Sequence, residues 1–266
     1  MEIYNGYTTG DALFDLPFKN NTLTLYPVKV KNYKEFEKYI KYFMFSKKHY
    51  KLDNKSNLFE YVIAVGISTQ SNSKANKNKN ISKQECLDMV IKDFEVAFSI
   101  ICREKISLDM ISFQTENEIK FVNEDKTIKI TSKNFELVRK IVLKQNAIKE
   151  PKIFEDEIEE RLAEKFLKAQ SKRNKGNLIN ELGEIANLVS CVTGKSYEQL
   201  YNQNILQLYS DYFRCISVEM YKSNMMFMTV SDKIKPNDYT ESVIPKLFED
   251  IYEKMWIDRD SVGFLN

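Results

Sequence analysis

Asp109 stands a short way ahead of Glu118-Ile119-Lys120, and this is the sharpest enzymatic possibility in the chain. Two carboxylates there could hold Mg²⁺ while the lysine stabilises the charge that develops at a phosphate, which would make the protein a Mg²⁺-dependent nuclease. The same residues also fit a plainer pattern. Ile119 and Phe121 alternate with Glu118 and Lys120 as inward and outward positions of a strand, and Thr127, Lys129 and Thr131 supply facing polar positions on a hairpin partner. On that pattern the charges form a solvated face with cross-strand charge pairs.

Other catalytic chemistry has little material to work with. The proline usual before the Asp of metal-dependent nuclease cores is absent, and so is a basic, aromatic-lined groove for nucleic acid. The single histidine, His49, sits in Lys47-Lys48-His49-Tyr50, a solvated stretch at the end of an expected helix. A catalytic zinc would need carboxylates alone, which zinc seldom accepts. Seven glycines in the whole chain, with no Walker loop, Gly-x-Ser-x-Gly elbow or Gly-x-Gly-x-x-Gly turn, leave nothing to cradle phosphate. Cys86, Cys102, Cys191 and Cys215 are widely spaced and read as reduced core residues. The expectation is a non-enzymatic protein with no metal, no cofactor and no catalytic residues.

Composition agrees with a protein that works by contact. Hydrophobic residues make up 43% and charged residues 29% of 266 residues, enough for a proper core without disulfides or metal. The balance of 40 basic and 38 acidic side chains gives a net charge of +2, no broad field for nucleic acid or anionic membrane. Apolar runs such as Tyr61 to Ile67 are too short to span a bilayer, and residues 1 to 15 carry no Lys or Arg to begin a secretory signal. A soluble chain in the cytoplasm is expected.

The elements that must position any site divide near Pro151. Before it, Thr22 to Val30 alternates as a strand, and Asn32 is placed to cap a helix carrying Tyr33, Phe36, Tyr39, Ile40 and Phe43. Leu58 to Ile67 favours helix over strand. Ser71 to Asn80 is too polar to offset its ordering entropy and reads as a disordered loop. A Ser82-x-x-Glu85 capping box opens a long helix through Leu87, Val90, Ile91, Phe94, Phe98 and Ile101. Strands follow at Ile106 to Phe113, Glu118 to Val122 and Thr127 to Thr131, the last two joined as a hairpin, and then a helix from Ser132 or Asn134 to about Asn146. The fold class is α+β: residues 1–150 hold a small, mainly antiparallel sheet with helices, and residues 151–266 are helical throughout, the two parts free to pack as a single body.

That helical part begins with Ile153 to Lys172, acidic at its start and basic at its end, as the helix dipole favours, and Gly176 breaks it. Leu178 to Val192 is closed by Gly194, and Ser196-x-x-Gln199 is a second capping box. Ile205 to Met228 is rich in Tyr, Phe and Met, and Glu241 to Trp256 carries an apolar stripe. Most such residues bury one another, yet Met225-Met226-Phe227-Met228 covers every side of a helix end. Methionine and aromatic side chains suit adaptable contacts with another protein. Tyr221, Met225, Met226, Phe227, Met228, Phe248, Tyr252 and Trp256 are the candidate partner-binding residues, and self-association through the same surfaces stays open.

Three stretches carry a resemblance: Leu25-Tyr26-Pro27-Val28 ahead of a Tyr/Phe-rich helix, Asn134 to Asn146, and Gly194-Lys195-Ser196-Tyr197-Glu198-Gln199-Leu200-Tyr201 leading into the long helix. Together they resemble a family of proteins from phages of low-GC Gram-positive bacteria, described as tail-assembly chaperones or tail-region proteins. The resemblance implies a protein that coats the tape measure protein during tail assembly and is displaced as tail-tube subunits polymerise. It brings no catalytic residues. A structural tail or baseplate component of the virion is the alternative within the same biology, and the nuclease built on Asp109, Glu118 and Lys120 is the alternative outside it.

Overall fold

A computed structural model describes residues 2–47, 50, 52–53, 57–72, 81–110, 112, 114, 118–150, 152–154, 156–173, 182–231 and 233–248. In chain order the elements are β1 (Glu2–Tyr4), β2 (Tyr7–Thr8), α1 (Thr9–Leu13), β3 (Phe18–Lys19), β4 (Thr24–Leu25), α2 (Val30–Phe36), a 3₁₀ turn (Glu37–Tyr39), α3 (Ile40–Met44), α4 (Leu58–Asn72) and α5 (Lys83–Cys102). Then come β5 (Ile106–Leu108), β6 (Lys120–Asn123), β7 (Lys129–Thr131), α6 (Phe135–Gln145), α7 (Glu157–Arg173), α8 (Leu182–Thr193), α9 (Tyr197–Asn202), α10 (Ile205–Met228) and α11 (Ile244–Phe248). The fold class is α+β: every described strand lies in the N-terminal part, and helices make up the C-terminal part. Two compact units divide the chain, Met1–Pro151 with Ser196–Leu208 in the first, Lys152–Lys195 with Tyr209–Asn266 in the second.

The first unit closes around aromatic rings. Phe43 of α3, Phe59 of α4, Phe94 and Phe98 of α5, Phe121 of β6 and Phe135 of α6 are all fully buried. Phe59 stacks on Phe135 at 4.4 Å and meets Phe94 edge-on at 5.2 Å, while Phe98 meets Phe121 edge-on at 5.2 Å. Burial of each ring stabilises by about 1.5–3 kcal/mol, with about 0.5–1.5 kcal/mol more for a well-oriented pair. α5 runs through the centre because Ser82 and Glu85 cap its start reciprocally, leaving its apolar stripe in one register. Gly66 of α4 lets that helix approach, since a Cβ there would lie 3.1 Å from Val90.

The antiparallel sheet β5-β6-β7 has the expected order, with Leu108 facing Phe121 and Lys120 facing Thr131. Its first strand stops at Leu108, because Met110, Ser112 and Gln114 are helical; Phe113 lies outside the described residues. The helix expected at Leu58 continues to Asn72, so the start of the expected loop is helical and residues 73–80 lie outside the description. Gly176 and residues 178–181 lie outside it too, so the start of α8 falls outside the described residues, while α7 starts at Glu157, later than its apolar pattern suggested.

The expected strand from Thr22 to Val30 is corrected to two residues, β4, paired with β3 through Phe18 and Leu25. Beyond Leu25 the backbone is claimed by other elements, not by one neighbouring strand. Tyr26 N donates to Ile101 O at 2.7 Å, Val28 N to Asn146 Oδ1 at 2.8 Å and Val30 N to Gln203 O at 2.9 Å. α2 accordingly starts at Val30, with Lys29 before it and no side-chain cap, so Asn32 is inside the helix and does not cap it. Asn134 likewise precedes α6 without capping it, because its side chain accepts from Thr131 N and donates to Lys129 O.

Asn204 joins the two ends of this unit's sequence. It is fully buried; its side chain accepts from Gln207 N at 2.9 Å and donates to Ala12 O at 2.7 Å, and Gln207 Oε1 accepts from Asn204 N at 2.8 Å. The reciprocal pair caps α10 in the manner of a capping box. Asp15, in left-handed backbone at φ 60, accepts from Asn204 at 3.3 Å and from both terminal nitrogens of Arg103, at 2.8 and 2.5 Å. Lys29 stands 3.4 Å from the same carboxylate, and Arg103 also donates to Pro27 O and lies over the Tyr26 ring. Burial alone would raise the Asp15 carboxyl, but Arg103, Asn204 and Lys29 outweigh it and hold it below the ordinary aspartate value.

In the second unit, Ala163 of α7, Ile185, Ala186 and Val189 of α8, Cys215 and Ser217 of α10, Val243, and Leu247 of α11 are buried. Gly194, at φ 74, ends α8, and Lys195 then reaches Asp211 at 2.6 Å. The chain after α10 returns along it: the Tyr239 ring meets that of Tyr221 at a tilt, 4.7 Å between centroids, and Asn237 donates to Ser217 O at 3.0 Å.

Two outcomes test this account. Asn204→Ala strands Ala12 O and Gln207 N in a buried place and is expected to destabilise the protein by about 2–3 kcal/mol in urea unfolding. Asp15→Asn tests the carboxylate through pH. Because the folded value is depressed, the contribution of Asp15 is present above the ordinary aspartate pKa of about 3.9 and is lost as pH falls through the folded one. The variant should therefore be less stable than the parent at pH 7, with the gap narrowing towards pH 3.

Candidate protein-binding surface

α10 is a 24-residue helix with two different halves. Up to Tyr221 its inner positions are covered: Cys215 and Ser217 are buried, and Tyr221 is half-buried beneath Tyr239. Asn224, beside Asn237 at 3.4 Å, is the last half-buried position of the helix. From there Met225, Met226, Phe227 and Met228 are exposed, Met226 to 73% and Phe227 to 56%, and Val230 just beyond reaches 79%. Such a concentration of large apolar side chains on water makes this helix end the candidate contact surface. Methionine adds flexible, polarisable side chains that can fit more than one partner geometry.

The structure thus brings Met225, Met226, Phe227 and Met228 together at one helix end. It separates Tyr221, whose ring is engaged by Tyr239, and leaves Phe248 half-buried at the end of α11. Tyr252 and Trp256 lie outside the described residues, as does His49. Met220, 53% exposed, and Val230 are exposed apolar residues near the same end; Met220 counts in the sequence among the Tyr-, Phe- and Met-rich run of this helix but neither is among the candidate partner-binding residues. Their signal was available only as position: neither breaks the helical pattern.

The Asp109 constellation takes a different form from a metal site. Asp109 is buried, its carboxylate accepts from Ser112 Oγ at 3.1 Å and lies 3.9 Å from Lys126 Nζ. Its backbone N donates to Lys120 O at 2.8 Å, so what joins the two residues is the sheet edge. The reading of Lys120 as part of a solvated face is corrected: Lys120 and Glu118 are half-buried, and Phe121, Val122 and Asn123 are buried in succession, so β6 is covered on both sides. Among the described residues no group of three or more His, Cys, Asp or Glu side chains is placed to hold a metal.

Cys86, Cys102 and Cys215 are buried, whereas Cys191 is exposed near the end of α8, which corrects its placement in the core. Burial, with Glu104 nearby, pushes the Cys102 thiol up to about 12. Burial also raises the Cys215 thiol, and Asp211 adds to it. Both stay protonated at neutral pH and are poor nucleophiles. Among the described residues no helix is long and apolar enough to cross a membrane.

Residues 170–243 match the family model described as the YomV second domain. The matched stretch takes in α8, α9 and α10, and with them the exposed apolar end. The chain is also similar to the SPbeta prophage-derived uncharacterized protein YomV of Bacillus subtilis (strain 168), 29% identical over 124 residues, which cover 46% of this chain and 50% of that protein. This chain therefore spans half the length of that relative. No solved structure matches.

If the apolar end of α10 serves contact and not packing, polar replacement there will leave the fold untouched. Met226→Gln together with Phe227→Gln is expected to shift unfolding free energy by less than about 0.5 kcal/mol, as exposed positions do. A loss of about 2 kcal/mol or more in chemical denaturation would mean that these side chains are core.

Proposed function

We propose that this protein is a non-enzymatic phage assembly factor that binds another protein, and specifically a tail-assembly chaperone that holds the tape measure protein until tail-tube subunits replace it. The observation that carries the reading is the exposed Met225-Met226-Phe227-Met228 end of α10, within the stretch that matches the YomV second domain. The similarity to a prophage-derived protein supports the phage setting. A tape measure protein is long and helical, and an amphipathic helix is recognised by laying its apolar face against apolar side chains of a partner. Methionines suit a chaperone because they make such contacts without a fixed geometry and so release as well as hold.

A chaperone must also bind with modest strength, since assembly has to displace it. An apolar end of a few side chains, with the single exposed ion pair Glu219–Lys222 described beside it, fits that requirement: buried area supplies affinity and flexible side chains keep it moderate. The tail-tube protein enters as the competitor. Its polymerisation around the tape measure covers the same helical surface and drives release by mass action.

Co-expression with the tape measure protein of the same phage, followed by pull-down, tests the reading. Association is expected, and Met225→Gln/Met226→Gln/Phe227→Gln should weaken it at least about tenfold, or about 1.4 kcal/mol. Mass spectrometry of purified particles should find the protein absent. Its presence in mature virions would make it a structural tail or baseplate component, and a clean lack of association would overturn the chaperone reading.

A further inference from the structure

Residues 233–242, which return along α10, lie on that helix as a strap. None of their side chains is buried, and they form no helix or strand. The strap is fixed at both ends, by the turn in which Val230 N and Ser231 N donate to Phe227 O and by buried Val243. Between those ends its grip on α10 is narrow. Asn237 donates to Ser217 O at 3.0 Å and accepts from Asn224 at 3.4 Å, Arg214 donates to Tyr239 O, and the Tyr239 ring, itself 40% exposed, lies against Tyr221. A segment with so little buried apolar contact belongs to the low-stability end of local opening.

The strap's contact positions fall on one line. Arg214, Ser217, Tyr221 and Asn224 follow one another at steps of three, four and three residues, the spacing of the seam that one helix offers to another, and Met228 is the next position, four residues on. The strap thus covers the seam as far as Asn224 and leaves Met228, 40% exposed, on water at the apolar end of the helix. We infer that the strap is a displaceable cover: an amphipathic helix of the partner docks on Met228 and its exposed neighbours, then takes the strap's place over Asn224, Tyr221 and Ser217. The identity of that partner rests on the helix-binding role proposed above. Exchange is favoured because the seam is partly polar. Ser217 and Asn224 must be hydrogen-bonded by whatever lies on them, and an Asn in a helical seam fixes register at a cost in stability, so neither cover binds tightly there. The partner helix gains over the strap by burying Met228 together with Tyr221. The strap, by occupying the seam first, lowers the partner's apparent affinity.

Thiol labelling of the full chain reads the strap without any partner. Ser217 is 4% exposed beneath Asn237, and Cys215, also 4% exposed and two residues away on the opposite side of the helix, reports opening of the unit as a whole. In a Ser217→Cys variant, N-ethylmaleimide should modify the introduced thiol in native buffer. Adding Asn237→Ala/Tyr239→Ala should speed that modification at least about fivefold while Cys215 keeps its rate, with circular dichroism equal to the parent's. Equal acceleration of both thiols, or of neither, would make the strap a fixed part of the fold and overturn the inference. Asn237→Ala/Tyr239→Ala alone should bind the tape measure protein of the same phage at least about fivefold more tightly, because its cover no longer competes. Equal or weaker binding by this folded variant would also overturn it. A tape measure protein that binds neither form sinks the chaperone reading and with it the partner named here, while the labelling rates separately decide whether the strap opens.

Discussion

The buried carboxamide of Asn204 is the contact on which the first unit's closure depends. A carboxamide has one strong acceptor and two donor hydrogens, and in a buried place each must find a partner or cost free energy. Here the acceptor caps α10 through Gln207 and the donors reach Ala12 and Asp15. That arrangement forces the start of α10 against the N-terminal segment across most of the chain's length. Asp15, Arg103 and Lys29 extend the same network to the end of α5 and the start of α2. Four polar side chains thus define where four segments meet, while the aromatic core supplies the bulk of the stabilisation without specifying that junction.

This division of labour explains what was legible in the sequence. Apolar periodicity is a property of one segment, so α5, α6 and α10 could be read with nearly their observed bounds, and the capping boxes at Ser82 and Ser196 fixed two starts. The hairpin of β6 and β7 was readable for the same reason. Long-range polar contacts have no such local signature. Val28 and Val30 continue an alternating pattern, yet Asn146 and Gln203 claim their amides, so the strand expected to Val30 ends at Leu25. Arg139 and Gln145 of α6 are polar by type and yet buried, Arg139 beside Glu150 and Phe43 O, Gln145 against Tyr7 and Leu25 O.

The candidate surface was legible to a different degree. A run of Met225-Met226-Phe227-Met228 cannot all face one core, whatever the packing, so its exposure follows from helical geometry alone. Tyr221 sits at a spacing equally suited to exposure, and only the return of the chain past Tyr239 decides that it is covered. Cys191 shows the opposite error: a residue type usually buried, at an apolar helical position, ends on the outside because α8 buries the side that carries Ile185 and Val189. Residue type predicts burial on average, and a helix with a thin core leaves room for exceptions.

The segment Ser196–Leu208 belongs to the first unit although it lies between the two pieces of the second. Vectorial synthesis gives this interruption a temporal meaning. A ribosome must release the whole of α7 and α8 before Asn204 appears, so the N-terminal unit waits, with Ala12 O and Gln203's partner amide at Val30 still solvated, until synthesis has passed residue 204. Neither unit can be cut out as one uninterrupted stretch of sequence. Evolution or engineering that exchanges the helical part wholesale must carry α9 and the Asn204 carboxamide along, or leave the other unit unfinished.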